Sequence, residues 1–145
     1  PNAFDIPNES VSAIHASHLL QFLSGHELEQ GLIKCFKALK QGGRVYFTTT
    51  SIYCPWSKDF LPLYKKRVND GLNWPGEIHN FKEYAPEENK DYIPDFFHLL
   101  SKDVLTKVLK KVGFEIEKVF YYDLNSPQSQ ADDEKEMLAV IAIKN

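Results

Sequence analysis

Seven consecutive apolar residues, Met137 to Ile143 (MLAVIAI), lie near the end of the chain. A short apolar run between polar stretches is typical of a buried strand. Because successive side chains of a strand point to opposite faces, a strand that is apolar at every position should be covered on both faces. The run therefore predicts a sheet with this strand inside it, and it argues against a fold built only from helices.

A helix and a strand meet in the stretch from Lys37 to Thr50 (KALKQGGRVYFTTT). The glycine pair, Gly42 and Gly43, predicts the end of the helix, because glycine accepts the left-handed conformation of a helix C-cap. Gly42 is expected to have a positive φ or to lie beside a residue that has one. The β-branched and aromatic residues from Arg44 to Ser51 then predict a strand.

The start of this helix is indicated by Ser24 and Glu27, which have the spacing of a capping box. The helix is expected to begin near His26. Its apolar residues recur at steps of three and four, as one buried helix face requires. They are Leu28, Leu32, Cys35, Phe36 and Leu39.

Further segments show regular patterns. Val11 to His15 (VSAIH) is a short strand-like run. Ser101 opens a second helix, which Gly113 closes. Phe114 to Tyr122 predicts a strand. Its charged residues are typical of a protected edge strand: Glu115, Glu117 and Lys118. The polar stretch from Asp123 to Glu136 predicts a mobile loop.

The order of these segments is strand, helix, strand, long insert, helix, strand, strand. Alternating strands and helices favour an α/β fold with a largely parallel sheet. The last two strands have no helix between them, so they are expected to be antiparallel neighbours. We predict the strand order first, second, fourth, third, with the strand 137–143 inside the sheet.

Composition and charge limit the classes of function. The chain has 145 residues, of which 43% are hydrophobic, and this fits one folded domain. A net charge of −3 without a basic cluster gives no indication of nucleic-acid binding. Cys35 and Cys54 form no disulfide framework and favour a reducing compartment, so a cytoplasmic location is predicted. No apolar run approaches the roughly 20 residues of a membrane-spanning helix.

Four stretches carry a resemblance to a known family: Asp5 to Pro7, Val11 to Leu19, Leu39 to Phe47 and Val112 to Ile116. In this order and spacing they resemble the C-terminal half of class I S-adenosylmethionine-dependent methyltransferases, in particular the type 11/25 group. The resemblance covers about two-thirds of the chain. It implies a Rossmann-like α/β sheet whose last strand is antiparallel and whose N-terminal strands are missing.

The resemblance also implies a cofactor, S-adenosylmethionine, and methyl transfer to an unidentified acceptor. It places Ala16, Ser17 and His18 beside the methionine part of the cofactor, since ligands of open α/β sheets bind at the carboxyl ends of strands. His18 is a candidate general base. The alternative is that these residues only satisfy the backbone at a strand end. Methyl transfer depends mainly on placing the acceptor in line with the methyl group, so the sequence need not show a motif of catalytic acids or bases.

One departure from the family is large. The sequence has no glycine-rich turn between a strand and a helix, and no acidic residue that follows a strand in the position that binds the ribose. The cofactor site is therefore expected to be incomplete in this chain, with three strands and their helices lost upstream of Pro1. We expect the chain alone to bind no cofactor measurably and to transfer no methyl group, and a longer chain to do both.

The insert from Cys54 to Phe97 is long for a connection inside one domain, and such loops are usually functional or disordered. The chain thus divides into 1–53, the insert 54–97, and 98–145. The resemblance implies that the insert is a substrate-binding lid. Candidate substrate contacts are Tyr53, Trp56, Tyr64 and Trp74. The alternative is an aromatic cluster that only holds a long connection in place.

The histidines and cysteines do not predict a metal site, because they lack the closely spaced ligand pairs of zinc sites. They include His15, His18, Cys54, His79 and His98. Neither Cys54 nor Ser17 has the flanking motif of a nucleophile.

Two other functions stay open. One is a non-catalytic module that pairs with another chain, or with a second copy of itself, through the unpaired edge of the first strand. The other is a different nucleotide-binding α/β protein, since fold alone does not fix function.

Overall fold

The computed structural model describes residues 6–131 and 135–145, and for residues 126–131 it describes the backbone only. Asp5, which belongs to the first stretch of the resemblance, lies outside the described residues. So do residues 132–134 of the predicted loop.

The described residues form three α-helices and seven strands. The helices are α1 (Gly25–Ala38), α2 (Leu61–Asn69) and α3 (Lys102–Val112). The strands are β1 (Val11–Ser17), β2 (Leu39–Thr50), β3 (Glu77–Ile78), β4 (Phe97–His98), β5 (Glu115–Asp123), β6 (Ser126–Ala131) and β7 (Met137–Ile143). No helix in this described part of the chain is long and apolar enough to cross a membrane.

The main sheet has the strand order β1-β2-β7-β5-β6. β1 and β2 are parallel, whereas β7 is antiparallel to both of its neighbours, β2 and β5. The predicted order of the first four strands and the position of Met137–Ile143 inside the sheet are confirmed. Five of the seven β7 residues are buried, and Ile141 and Ile143 are half-buried.

The prediction that Phe114 to Tyr122 forms an edge strand is wrong, because β6 pairs antiparallel with β5 on its outer side. Part of the predicted mobile loop is therefore a strand. One of the charged residues of β5, Glu117, accepts two hydrogen bonds from Arg44 on β2. They run from Nε to Oε2 at 2.7 Å and from Nη2 to Oε1 at 2.8 Å. This exposed pair spans β7.

The glycine pair does not end α1, and this expectation is also corrected. The helix ends at Ala38, and Leu39, which is fully buried, is its extended C-cap and the first residue of β2. Gly42 and Gly43 instead form an irregular start of β2, where Gly42 N donates to Lys144 O (2.7 Å) and Lys144 N donates to Gly43 O (2.9 Å). Burial of Leu39 requires the chain to leave the helix before the glycines are reached.

The positive φ predicted for Gly42 is confirmed at 77°. An alanine at position 42 would adopt this left-handed conformation at a cost of roughly 1 kcal/mol in free energy of unfolding. At Gly43 an added Cβ would lie 2.8 Å from the Lys40 carbonyl oxygen. Gly43→Ala should therefore lose stability as well, by steric contact. Denaturant unfolding of both variants measures this, and unchanged midpoints would contradict the role given to the pair.

Helices α1 and α3 pack together on one face of the sheet and form the main core with it. The core side chains alternate along the strands with exposed ones such as Tyr46. Members of the core include Leu28, Leu32, Val45, Phe47, Leu105, Leu109, Leu138 and Val140.

The insert 54–97 has a small hydrophobic core of its own. It contains α2 and the two-stranded sheet β3–β4, and its buried residues are packed together. They include Phe60, Tyr64, Ile78, Phe81 and Ile93, with Ile52 and Leu99 from the segments on either side. The insert is thus a folded element rather than an irregular connection.

Candidate functional site

The carboxyl ends of β1, β2 and β5 lie at the same edge of the sheet. β1 and β2 are parallel, and β5 runs in their direction because both β2 and β5 are antiparallel to β7. Open α/β sheets bind ligands at this edge. The insert leaves the sheet there, directly after β2, so it lies next to the strand ends.

The turn after β1 brings the predicted cofactor residues Ala16, Ser17 and His18 to this edge. Ser17 Oγ lies 2.9 Å from Thr48 Oγ1 on β2, and His18 N donates to Thr48 O at 2.9 Å. The side chains of Ser17 and His18 are exposed, whereas Ala16 is half-buried and packs against the main core. What Ala16 can offer a ligand is therefore its backbone.

His18 has a φ of 52°, which is uncommon for a residue other than glycine. Such strain persists where the surrounding structure imposes it, and it is found often at ligand sites. Here the hydrogen bond from His18 N to Thr48 O fixes the residue on one side. On the other side the chain enters a 3-10 helix, Leu20–Phe22, at once.

This 3-10 helix is held by β2 and by the insert. Thr49 Oγ1 donates to Oε1 of Gln21 at 3.0 Å, and both side chains are buried. The ring of Phe22 makes an edge contact with the ring of Phe97 on β4, at 5.5 Å between centroids. The position of the turn after β1 thus depends on the packing of the insert.

Of the predicted substrate contacts, Tyr53 lies directly before the insert and Trp56 lies near its start. Tyr53 is half-buried and packs edge-on against Tyr121 of β5, at 5.5 Å between ring centroids. Trp56 is 39% exposed and lies over Phe81. Trp56 presents the larger exposed aromatic surface of the two.

Tyr64 and Trp74 lie deeper in the insert. The hydroxyl of Tyr64 lies 2.9 Å from Ser101 Oγ, at the N-cap of α3, and burial raises the pKa of this hydroxyl. Trp74 is half-buried between α1 and the insert. The role of these two side chains in substrate binding stays a prediction.

Comparison with known proteins shows which fold this chain has. No protein-family model matches the sequence, and no curated protein matches it. Solved structures do match. A SAM-dependent methyltransferase of Methanosarcina mazei superposes with a TM-score of 0.66 at 16% identity, over 98% of this chain and 63% of that one. A SAM-dependent methyltransferase of Thermotoga maritima, a possible histamine N-methyltransferase, gives 0.65 at 15%, over 98% and 60%.

A third SAM-dependent methyltransferase, from Archaeoglobus fulgidus, superposes with a TM-score of 0.57 at 13% identity, over 96% of this chain and 62% of that one. The chain has a class I methyltransferase fold. At this level of identity the likeness concerns the fold. The chain spans about 60% of the length of these three methyltransferases.

An apolar groove of about 690 Å³ lies beside β1 in this methyltransferase fold. It runs between β1 and α1, and His15 and His26 lie at its rim. Its apolar lining includes Ile14, Ala16, Leu20, Leu28, Leu32 and Phe47. Ala16 is the one predicted cofactor residue on its wall, so the groove meets the candidate site only at the end of β1.

Nucleophilic and metal chemistry have little support in the described residues of the fold. Burial raises the pKa of the Cys54 thiol, which keeps it protonated and unreactive. Among residues 6–131 and 135–145, no group of three or more histidine, cysteine, aspartate or glutamate side chains could hold a metal ion.

Sequence reasoning gave no role to His98 and Glu77, which join the β3–β4 pair to Leu23 and to Gly25, the first residue of α1. His98 Nδ1 lies 2.9 Å from Leu23 O, and Glu77 Oε1 accepts a hydrogen bond from Gly25 N at 2.5 Å. The only signal in the sequence is weak: His98 directly follows two phenylalanines and precedes two leucines, an apolar setting for a titratable side chain.

Proposed function

We propose that this chain is the C-terminal part of an S-adenosylmethionine-dependent methyltransferase that transfers a methyl group to an unidentified acceptor. The observation that carries the proposal is the position of β7, antiparallel between β2 and β5, in a sheet that superposes on methyltransferases over almost the whole chain. The candidate site at the carboxyl ends of β1, β2 and β5 supports it, because ligands of open α/β sheets bind there.

Ala16, Ser17 and His18 would hold one flank of the cofactor. Their fit rests on three features: an exposed hydroxyl, an exposed imidazole, and a backbone strained at His18 and fixed to Thr48. When bound, the cofactor supplies an electrophilic methyl group on a sulfonium. The residues of this chain would contribute by positioning and by exclusion of water, and the exposed aromatic surface of Trp56 is a candidate contact for the acceptor.

The proposal is tested in the chain extended by whatever coding sequence precedes Pro1. His18→Ala should weaken S-adenosylmethionine binding about tenfold, the cost of one lost hydrogen bond of about 1.4 kcal/mol. The matched control is His15→Ala, an exposed histidine on β1 three residues before His18. Isothermal titration calorimetry measures both. Equal affinities for the His18 and His15 variants would remove His18 from the site, and no binding to the extended protein would overturn the methyltransferase proposal.

The alternative is a non-catalytic module that pairs through β1 with a second copy of the chain. It is supported by the position of β1 at the edge of the described sheet and by the apolar groove beside it. An unpaired edge offers backbone hydrogen bonds to a partner strand. Sedimentation equilibrium distinguishes the alternatives: a stable dimer that Ala13→Pro abolishes favours the module, because proline removes a backbone donor of β1.

A further inference from the structure

His98 on β4 is fully buried, and its ring joins the insert to the chain before α1. Nδ1 lies 2.9 Å from the carbonyl oxygen of Leu23. A carbonyl oxygen can only accept a hydrogen bond, so Nδ1 carries the proton of the neutral ring. Nε2 is then a bare acceptor, and it has no hydrogen-bond partner among the described residues.

Two further contacts join the same parts of the chain. The ring of Trp74 makes an edge contact with His98, at 5.6 Å between centroids and an interplanar angle of 84°. It also fills the space over Gly25, where an added Cβ would lie 2.0 Å from the ring. Glu77, opposite His98 in the β3–β4 pair, binds Gly25 N. We name the cluster of Trp74, Glu77 and His98, with the Leu23–Gly25 segment that it binds, the latch.

A second proton on His98 would have to enter at Nε2. This would place a charged N–H in a buried position without an acceptor, which is costly unless water reaches it. Charged or titratable side chains on the surrounding elements include Glu77 on β3, with His79 Nε2 3.9 Å from its carboxylate, Arg67 on α2, His26, Glu27 and Glu29 on α1, and Asp103, Lys107 and Lys111 on α3. Glu77 is the one that favours the charged ring.

The direction of the pH effect follows from burial. Burial lowers the pKa of His98 below its usual 6.5, and the Leu23 carbonyl and Glu77 offset only part of this effect. When the latch opens, the pKa returns towards 6.5. The closed latch is therefore fully stable above pH 6.5 and loses stability as the pH falls below 6.5 towards the lowered pKa.

We propose that His98 is a proton-sensitive switch: its neutral ring holds the insert against the Leu19–Leu23 segment, and protonation opens the latch. The Leu19–Leu23 segment directly follows Ala16, Ser17 and His18. An open latch thus frees the turn that carries the candidate cofactor residues. This last consequence rests on the proposed function, whereas the switch itself does not.

The test uses Trp74 as a reporter in the full chain, with Trp56→Phe to remove the other tryptophan. Between pH 8 and pH 5, Trp74 emission should shift to longer wavelength with a midpoint below 6.5, because the ring gains solvent as the latch opens. His98→Asn should abolish the transition, since the asparagine amide can still donate to Leu23 O but does not titrate. The matched control, His15→Asn on the exposed part of β1, should keep it, because His15 lies outside the latch.

A second measurement on the unaltered chain decides the matter if His98→Asn does not fold. Amide protection at Phe22 and Leu23, whose N–H groups donate within the 3-10 helix, should fall by up to tenfold per pH unit below pH 6.5. Protection at Leu105 in α3 should not fall with it. A parallel fall at Leu105, a flat Trp74 signal, or a transition that survives His98→Asn would each overturn the switch. None of these measurements involves the cofactor, so they leave the methyltransferase proposal untouched.

Discussion

Calorimetric titration of the 145-residue chain with S-adenosylmethionine is expected to give no measurable heat of binding. The chain carries one flank of the candidate site, at Ala16, Ser17 and His18, where the exposed polar side chains are a hydroxyl and an imidazole. The sequence contains no glycine-rich turn after a strand. Asp123 at the end of β5 is a carboxylate at this edge, but β2 and β7 separate it from β1, and it pairs with Lys135.

The size of the effect follows from the hydrogen bonds that the ligand would lack. Each hydrogen bond to a charged group contributes about 1.5–3 kcal/mol, and each 1.4 kcal/mol is about tenfold in affinity. The loss of two or three such bonds would weaken a micromolar site to millimolar or beyond, roughly a thousandfold. We therefore expect no methyl transfer by this chain alone.

The extended protein is the positive control for this titration, and it should bind the same cofactor preparation in the micromolar range. A micromolar dissociation constant for the 145-residue chain itself would mean that the site is complete within these residues. The conclusion that the site lacks a glycine-rich turn and a ribose-binding carboxylate would then be wrong, although the methyltransferase proposal would gain support.

The parts of the fold that local sequence dictates were predictable. The capping box is present as expected: Ser24 N donates to Glu27 Oε2 at 2.9 Å, and Glu27 N donates to Ser24 Oγ at 3.3 Å. The all-apolar run from Met137 to Ile143 predicted an interior strand, because only an interior strand buries both faces. With this strand inside the sheet, the order of the first four strands could be predicted.

The errors arose where long-range contacts outweigh local pattern. β6 (SPQSQA) is polar and contains Pro127, which is typical of a loop, yet an edge strand needs only backbone pairing on one side and tolerates proline. α1 ends before the glycines because Leu39 is buried in the sheet, which the helical spacing of apolar residues could not reveal.

Of the candidate site, only the position of the residues at the end of β1 could be predicted from the sequence. Ala16, Ser17 and His18 are consecutive, so locating β1 located them. The latch joins residues 23–25 to residues 74–98, and such a contact leaves no periodic trace in the sequence. His98 and Glu77 face each other across a two-residue strand pair, too short to be recognised from alternation.

Gly25→Ala is expected to be among the most destabilising single substitutions in this chain, because Trp74 occupies the position of the new methyl group. An added Cβ would lie 2.0 Å from Trp74 Cδ2, far inside van der Waals contact. The indole is rigid and is held against His98, so relief requires the insert to move. Overpacking of this kind costs about 3 kcal/mol, roughly a hundredfold in the unfolding equilibrium.

The matched control lies on the same helix. At Gly31 an added Cβ would meet no atom within 4 Å apart from its chain neighbours and the backbone of its own helix. Gly31→Ala should therefore raise the free energy of unfolding by about 0.5–1 kcal/mol, the usual gain for alanine over glycine inside a helix. A fall in stability at both positions would indicate that α1 tolerates no added methyl group, and the specific role of Trp74 would be lost.

A double-mutant cycle with Trp74→Ala isolates the clash. Once the ring is removed, Gly25→Ala should change the free energy of unfolding by no more than about 0.5 kcal/mol, so the coupling between the two positions should exceed 1 kcal/mol. Urea unfolding followed by circular dichroism measures all four proteins. If Gly25→Ala costs the same with and without the ring, the strain arises elsewhere, for example at the bond between Gly25 N and Glu77. If the coupling appears, the cost of Gly25→Ala arises from the contact with the Trp74 ring, by which the insert packs on the start of α1.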